Sequence, residues 1–186
     1  MKGSLGTWPR STPACARYDG CAVQRMTIYG VSFDLVGKQP IVLLKTADGN
    51  RFLPIWIGHP EAAAILQRLQ GDDAPRPMTH DLLVNILGEL QAEVVQIAVT
   101  ELRDSTFYAR ITLRRNGTTV EIDSRPSDAI ALAVRCEAPI FAADDVIESS
   151  AIEMEDDEAA GAADPETQIE AFKAFLDDVR PDDFAG

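Results

Sequence analysis

His80 stands beside Asp81 where the run THDLLVNILGEL begins, and an imidazole with a carboxylate neighbour is the pairing that takes a proton from water near neutral pH. Glu61, Asp81, Asp123 and Asp128 are oxygen donors of the kind that Mg²⁺ or Mn²⁺ takes, provided the fold gathers their segments. Arg76 and Arg125 are each followed by proline and each lie just ahead of a predicted helix. A guanidinium and the free N–H groups of a helix start can together hold a phosphate, and Ser127 would add a donor. Hydrolysis of a phosphodiester needs an activated water, neutralised phosphoryl oxygens and a stabilised leaving oxygen, and this set has candidates for each.

The same residues have plainer uses. Glu61, Asp81 and Asp128 each fall at a helix start, where a carboxylate near the positive end of the dipole contributes about 0.3 to 1 kcal/mol. Arg76 and Arg125 can pair with Asp81, Asp123 or Asp128 across two loops, which would lock the helices over a sheet. His80 can serve by bonding a carbonyl, and His59 as a helix cap or surface residue. Trp56, flanked by Ile55 and Ile57 with no basic residues interleaved, suits a core or an interface better than a base-stacking platform. Cys136 suits packing as a small apolar side chain.

The elements that must position these groups follow from periodicity and turn residues. MTIYGVSFDLV, IVLLKTA and RFLPIWIG, separated by Gly37 to Pro40 and by Asp48-Gly49-Asn50, predict an antiparallel meander. Pro60 suits the first position of a helix over AAAILQRLQ that stops at Gly71. After the loop GDDAPRPM, Leu82, Leu83, Ile86, Leu87 and Leu90 recur at helical spacing, with Thr79 as the natural N-cap. Residues 94–102 and 106–114 alternate as a hairpin, and Asn116-Gly117 turns the chain into a third strand carrying Val120 and Ile122. SRPSDAIALAVRCE predicts a helix and PIFAA a short strand. The expected fold class is α+β: two meanders in one antiparallel or mixed sheet with about three core helices.

Composition bounds the rest. The chain of 186 residues suits one domain with appendages. The formal charge divides as +3 over residues 1–25, −6 over 26–148 and −10 over 149–186, so the tail carries most of the net −13. A mildly acidic core disfavours tight nucleic-acid binding, which uses a basic face to displace counterions, but not a hydrolase that meets a phosphate locally. Three cysteines without CxxC spacing predict neither a disulfide framework nor a zinc site. No apolar run reaches the roughly 18 residues of a membrane span, and no secretory signal is apparent, so a cytoplasmic setting is expected. Residues 1–25 read as a flexible extension with Met26 as a candidate start, 26–148 as the folded domain, 149–164 as an acidic linker, and 165–186 as an amphipathic helix and tail bearing Ile169, Phe172, Phe175 and Leu176.

Four segments in order and at matching spacing carry a family resemblance: LPIWIG at 53–58 with Glu61, PRPMTHDLL at 75–83, DSTFYARI at 104–111, and DSRPSDAIALAV at 123–134 followed by APIF at 138–141. Residues 26–148 resemble the bifunctional nuclease domain, and the ending IEAFKAFLDDVRPDDF is similar to the tail of actinobacterial members. Residues 1–25 lie outside the resemblance.

The resemblance implies cleavage of DNA and RNA, as substrates rather than tight ligands, with no organic cofactor. Under that expectation His80, Asp81 and Asp128 act near the water, Arg76, Arg125 and Ser127 hold the phosphate, and Glu61 and Asp123 hold Mg²⁺ or Mn²⁺. The rival from another class is a non-catalytic regulatory or binding protein that uses exposed strand edges to form a homo-oligomer. A binder of phosphorylated small molecules is a third reading.

Overall fold

Turn residues divide the apolar runs into strands as the alternation predicts. The computed structural model describes residues 15–18, 21–33, 39–47, 49–72 and 74–153. The first meander consists of β2 (Cys21–Phe33), β3 (Pro40–Thr46) and β4 (Arg51–Trp56), all antiparallel, with Val42, Leu44, Leu53 and Ile55 buried. The second consists of β5 (Glu93–Arg103), β6 (Thr106–Arg115) and β7 (Thr118–Ser124). Its last turn has Asn116 at φ 51 and Gly117 at φ 78, the left-handed pair that a two-residue hairpin loop requires.

One short strand, β8 (Ile140–Ala143), joins the two meanders. It runs parallel to β5, with Ile140 beside Ile97, and antiparallel to β2, with Ile140 beside Met26. The sheet order is β7-β6-β5-β8-β2-β3-β4 with β9 (Ile152–Glu153) at the far edge, and β1 (Cys15–Tyr18) pairs with β2 off this path. The α+β class is as expected.

The helices are α1 (His59–Gln70), α2 (Thr79–Glu89), α3 (Pro126–Cys136) and α4 (Asp144–Ser150). Helix α3 is central: it packs against α1, α2, β5 and β6. Its stretch Ala129–Ala133 is buried throughout, and small alanines let the helix approach the sheet closely. Ile130 and Leu132 fill what remains, each burial stabilising by roughly 1.5 to 3 kcal/mol.

Several expectations need correction. The flexible extension expected over 1–25 gives way to strand at Cys15–Tyr18 and from Cys21 onward, because β1 and β8 supply backbone partners that composition alone does not reveal. Residues 149–153, expected to open an acidic linker, are structured instead: α4 runs to Ser150, and Ile152–Glu153 pairs with Arg51–Phe52, while the rest of the expected linker lies outside the described residues. Met78 rather than Thr79 is the N-cap of α2, and its backbone N–H donates to the Asp81 carboxylate at 2.9 Å. Of the α2 stripe, Leu87 packs inward with Val84, whereas Leu82, Leu83, Ile86 and Leu90 are exposed. Cys136 packs half-buried against the core as expected, and burial pushes its thiol pKa up. The C-terminal helix expected after residue 164 lies outside the described residues. Among the described residues no helix is long and apolar enough to cross a membrane.

Candidate active site

Helices α1 and α3 each begin with a proline in the first turn, Pro60 and Pro126, which fixes φ near the helical value and forgoes an N–H that would lack an intrahelical partner. Their caps, Gly58 and Arg125, are extended and make no side-chain cap bond. The two helix starts lie close together. Arg125 reaches from one to the other, its Nη2 lying 2.9 Å from Glu61 Oε1 in the first turn of α1.

The same guanidinium grips Asp128 with two bonds, Nε to Oδ2 at 2.7 Å and Nη2 to Oδ1 at 3.0 Å. His80 at the start of α2 places Nε2 3.4 Å from Asp128 Oδ1. Glu61, His80, Arg125 and Asp128 therefore form one chain of contacts assembled from three helix starts. Burial alone would raise the Asp128 pKa, but the hydrogen bonds and charge of Arg125, with His80 adding, leave it below the usual carboxylate range. Asp128 in turn holds Arg125 further toward its charged form.

Gly58 makes room for this. A Cβ there would meet Glu61 Oε2, so any other residue would make the Glu61 carboxylate shift from the position it holds beside Arg125. Through Arg125 alone the cluster reaches a cleft of about 380 Å³ whose wall also includes Trp56, Gly58, Phe107 and Ser127. Trp56 is exposed at this cleft rather than buried in the core. The opposite lip is the β5–β6 turn, where Asp104 and Ser105 adopt φ 48 and φ 60. Ser127 is 6% exposed, and its hydroxyl makes no hydrogen bond among the described residues. Arg125 is 65% exposed, and its Nη1 donates to no side chain among them.

The remaining predicted residues lie elsewhere. Asp81 turns away from His80 to Arg135, with Oδ1 2.5 Å from Nε. Arg135 is 5% exposed and also donates Nη1 to the carbonyls of Ala64 at 3.1 Å and Ala131 at 2.9 Å, so it ties α1, α2 and α3 together. That hydrogen bond, with the Met78 N–H and the Arg135 charge behind it, holds the Asp81 pKa down against the effect of burial. Asp123 pairs with Arg110 across the β6–β7 ladder, and alternation turns it away from the Ile122 face. Arg76, on the exposed loop before α2, makes no ion pair among the described residues.

Sequence reasoning missed Arg135 and Gly58. The only signal for Arg135 is a cation ending the apolar run AIALAV, a place where charge must be matched. Among the described residues no three His, Cys, Asp or Glu side chains are grouped as a metal site would need. Glu61 and Asp128 are the two carboxylates aimed at one point, and Arg125 Nη2 occupies it.

Comparison with known proteins gives a consistent picture. A domain described as the bifunctional nuclease domain matches residues 42–155. An uncharacterized protein of Mycobacterium tuberculosis is 40% identical over 84% of this chain and 95% of its own length. Bifunctional nuclease 1 of Oryza sativa subsp. japonica is 30% identical over 53% of this chain and 31% of its own. Bifunctional nuclease 1 of Arabidopsis thaliana is 30% identical over 54% and 32%.

Proposed function

The chain belongs to the bifunctional nuclease domain family, and from that premise we propose that it hydrolyses phosphodiester bonds of DNA and RNA at the cleft beside Arg125. The observation that carries this reading is the convergence of Glu61, His80, Arg125 and Asp128 from three helix starts beside an open cleft. In this reading Nε2–H of His80 donates to Asp128, so Nδ1 keeps its lone pair and takes a proton from the attacking water. Asp128 is held by Arg125 and therefore orients the imidazole rather than titrating with it. Arg125 Nη1, the Ser127 hydroxyl and the N–H groups opening α3 hold the phosphoryl oxygens. Trp56 offers a face on which a base can stack.

A divalent ion belongs to the proposal in a limited form. To hold Mg²⁺ or Mn²⁺, Glu61 and Asp128 would first have to release Arg125, whose Nη2 stands between them. The ion would supply positive charge at the phosphate. The setting is the cytoplasm, where Cys136 would stay reduced. The test is cleavage of single-stranded DNA and RNA by the purified chain, with and without a chelator. Intact substrates at levels where a control nuclease cuts would overturn the reading.

One observation favours a non-catalytic regulatory or binding protein instead: both carboxylates of the cluster are already matched by Arg125. In that case Asp128→Asn would lower the melting temperature with no cleavage to lose.

A further inference from the structure

The hollows formed by the described residues differ in charge. Three of about 200 to 250 Å³ have carboxylates in their walls: Asp72 and Asp81 in one, Glu137 in another, Glu101 and Asp145 in the third. The cleft of about 380 Å³ at Arg125 has none. Glu61 and Asp128, the carboxylates paired with Arg125, are not part of its wall. On a chain of net charge −13, a wall with one cation and no acid is a place for an anion.

The anion end is built at the start of α3. The Ala129 N–H bonds to the Arg125 carbonyl at 3.1 Å, and the N–H groups of Ser127 and Asp128 precede that first intrahelical bond. Ser127 is nine-tenths buried, yet it lines the cleft, and its hydroxyl makes no hydrogen bond among the described residues. Only a group in the cleft can match it.

The other walls are aromatic and come from both meanders. Trp56 ends β4 between the buried Ile55 and Ile57, and its ring is 52% exposed. Phe107, near the start of β6, packs against the core and is held in place by it. The two rings make no contact with each other, so the cleft between the meanders stays open. Gln39, Ser105 and Thr106 add uncharged donors and acceptors, which suit base edges and sugar hydroxyls without selecting one base.

We propose that this cleft is a site for one nucleoside monophosphate, with the phosphate at Arg125 and the start of α3 and the base against Trp56. The place of the phosphate rests on the nuclease reading, and the base beside Trp56 goes beyond it. A volume near the low end of the roughly 300 to 1,000 Å³ of small-molecule sites admits a single nucleotide. A base held there has left any stack, so a strand delivers it only where it is unpaired or opened.

Calorimetric titration of the whole chain with adenosine 5′-monophosphate, and separately with inorganic phosphate, tests the site. The nucleotide is expected to bind about 10-fold more tightly than phosphate, an advantage that Trp56→Ala abolishes and Trp56→Phe keeps to within about 3-fold. Ser127→Ala should weaken both ligands alike. Phe107→Leu, which leaves an apolar side chain against the core, should weaken the nucleotide about 3-fold and phosphate not at all. A rise of about 10-fold in KM for a single-stranded oligonucleotide in Trp56→Ala would show the nucleotide arriving within a strand. An unchanged KM beside weakened nucleotide binding would assign the site to the free nucleotide. Nucleotide binding through Trp56 in a chain that cleaves nothing would overturn the nuclease reading and leave the site standing. A nucleotide that binds no more tightly than phosphate, or one indifferent to Trp56→Ala, would overturn the site, whether or not the chain cleaves.

Discussion

Two arginine–aspartate pairs, each with its aspartate in the first turn of a helix, differ in enclosure and in what the arginine has left to offer. Arg135 and Asp81 meet where the arginine is almost wholly enclosed, and two backbone carbonyls take its Nη1, leaving little of its hydrogen-bonding capacity for a ligand. Arg125 and Asp128 meet at the mouth of a cleft, with the guanidinium largely in solvent and one of its nitrogens uncommitted. An identical ion pair is thus a fastener in one place and a candidate site in the other. Exposure and spare donors separate the two, and motif spacing does not.

The largest expected effect sharpens the contrast from the cleft side. If His80 and Asp128 form the proton-handling pair, His80→Ala and Asp128→Asn each lower kcat by about 10² to 10⁴-fold, or roughly 3 to 5 kcal/mol in the barrier. Single-turnover cleavage of a labelled single strand measures this. The melting temperature should fall only slightly, because the Arg125 contacts lie near solvent. A large fall in stability with cleavage intact would make the second pair a fastener like the first.

The mirror experiment acts on the lock. Arg135→Ala removes the charged partner of Asp81 and the tie between α1, α2 and α3, and losing a hydrogen bond between charged groups costs about 1.5 to 3 kcal/mol. Chemical denaturation should record that loss, while kcat per folded molecule changes little. A selective loss of cleavage would instead mean that the lock positions His80 through its neighbour Asp81.

Gly58→Ala comes next. The added methyl must shift the Glu61 carboxylate and so loosen its contact with Arg125. The expected loss is about 10-fold in kcat/KM, near 1.4 kcal/mol, with little change in melting temperature, since the backbone at φ −76 suits alanine. Unchanged activity would remove Glu61 from the site.

These contrasts explain what was legible in the sequence. Asn116-Gly117 and the run RPSDAIALAV specify a turn and a helix through local rules, and both elements formed where those rules put them. Glu61, His80, Arg125 and Asp128 were identifiable because helix starts expose their polar groups to one another. Arg135 was not, since its partner Asp81 lies 54 positions away and nothing local marks the pairing. The outward leucines of α2 were hidden for a related reason: a helical repeat specifies a stripe but not what covers it. CAVQR was masked by its Gly-, Pro- and Ser-rich surroundings, because its strand exists through pairing with β8 and β1.

The smallest predicted effect distinguishes the two aspartates by pH. Both are held below the usual carboxylate range, so each contributes stability that is present above its unfolded pKa, near 3.8, and lost as pH falls through the lowered folded value. Neither affects melting between about pH 5 and 7, and both do below about pH 4. For Asp81 the leading influence is the Arg135 hydrogen bond, which favours the ionised form, whereas for Asp128 it is burial, which opposes ionisation. Asp81→Asn should therefore flatten the acid limb of the melting-temperature profile more than Asp128→Asn does, and thermal melts from pH 7 down to about pH 2 measure the difference. If Asp128→Asn flattened that limb more, the cleft pair would be the tighter fastener, and the division of labour between the two arginines would be reversed.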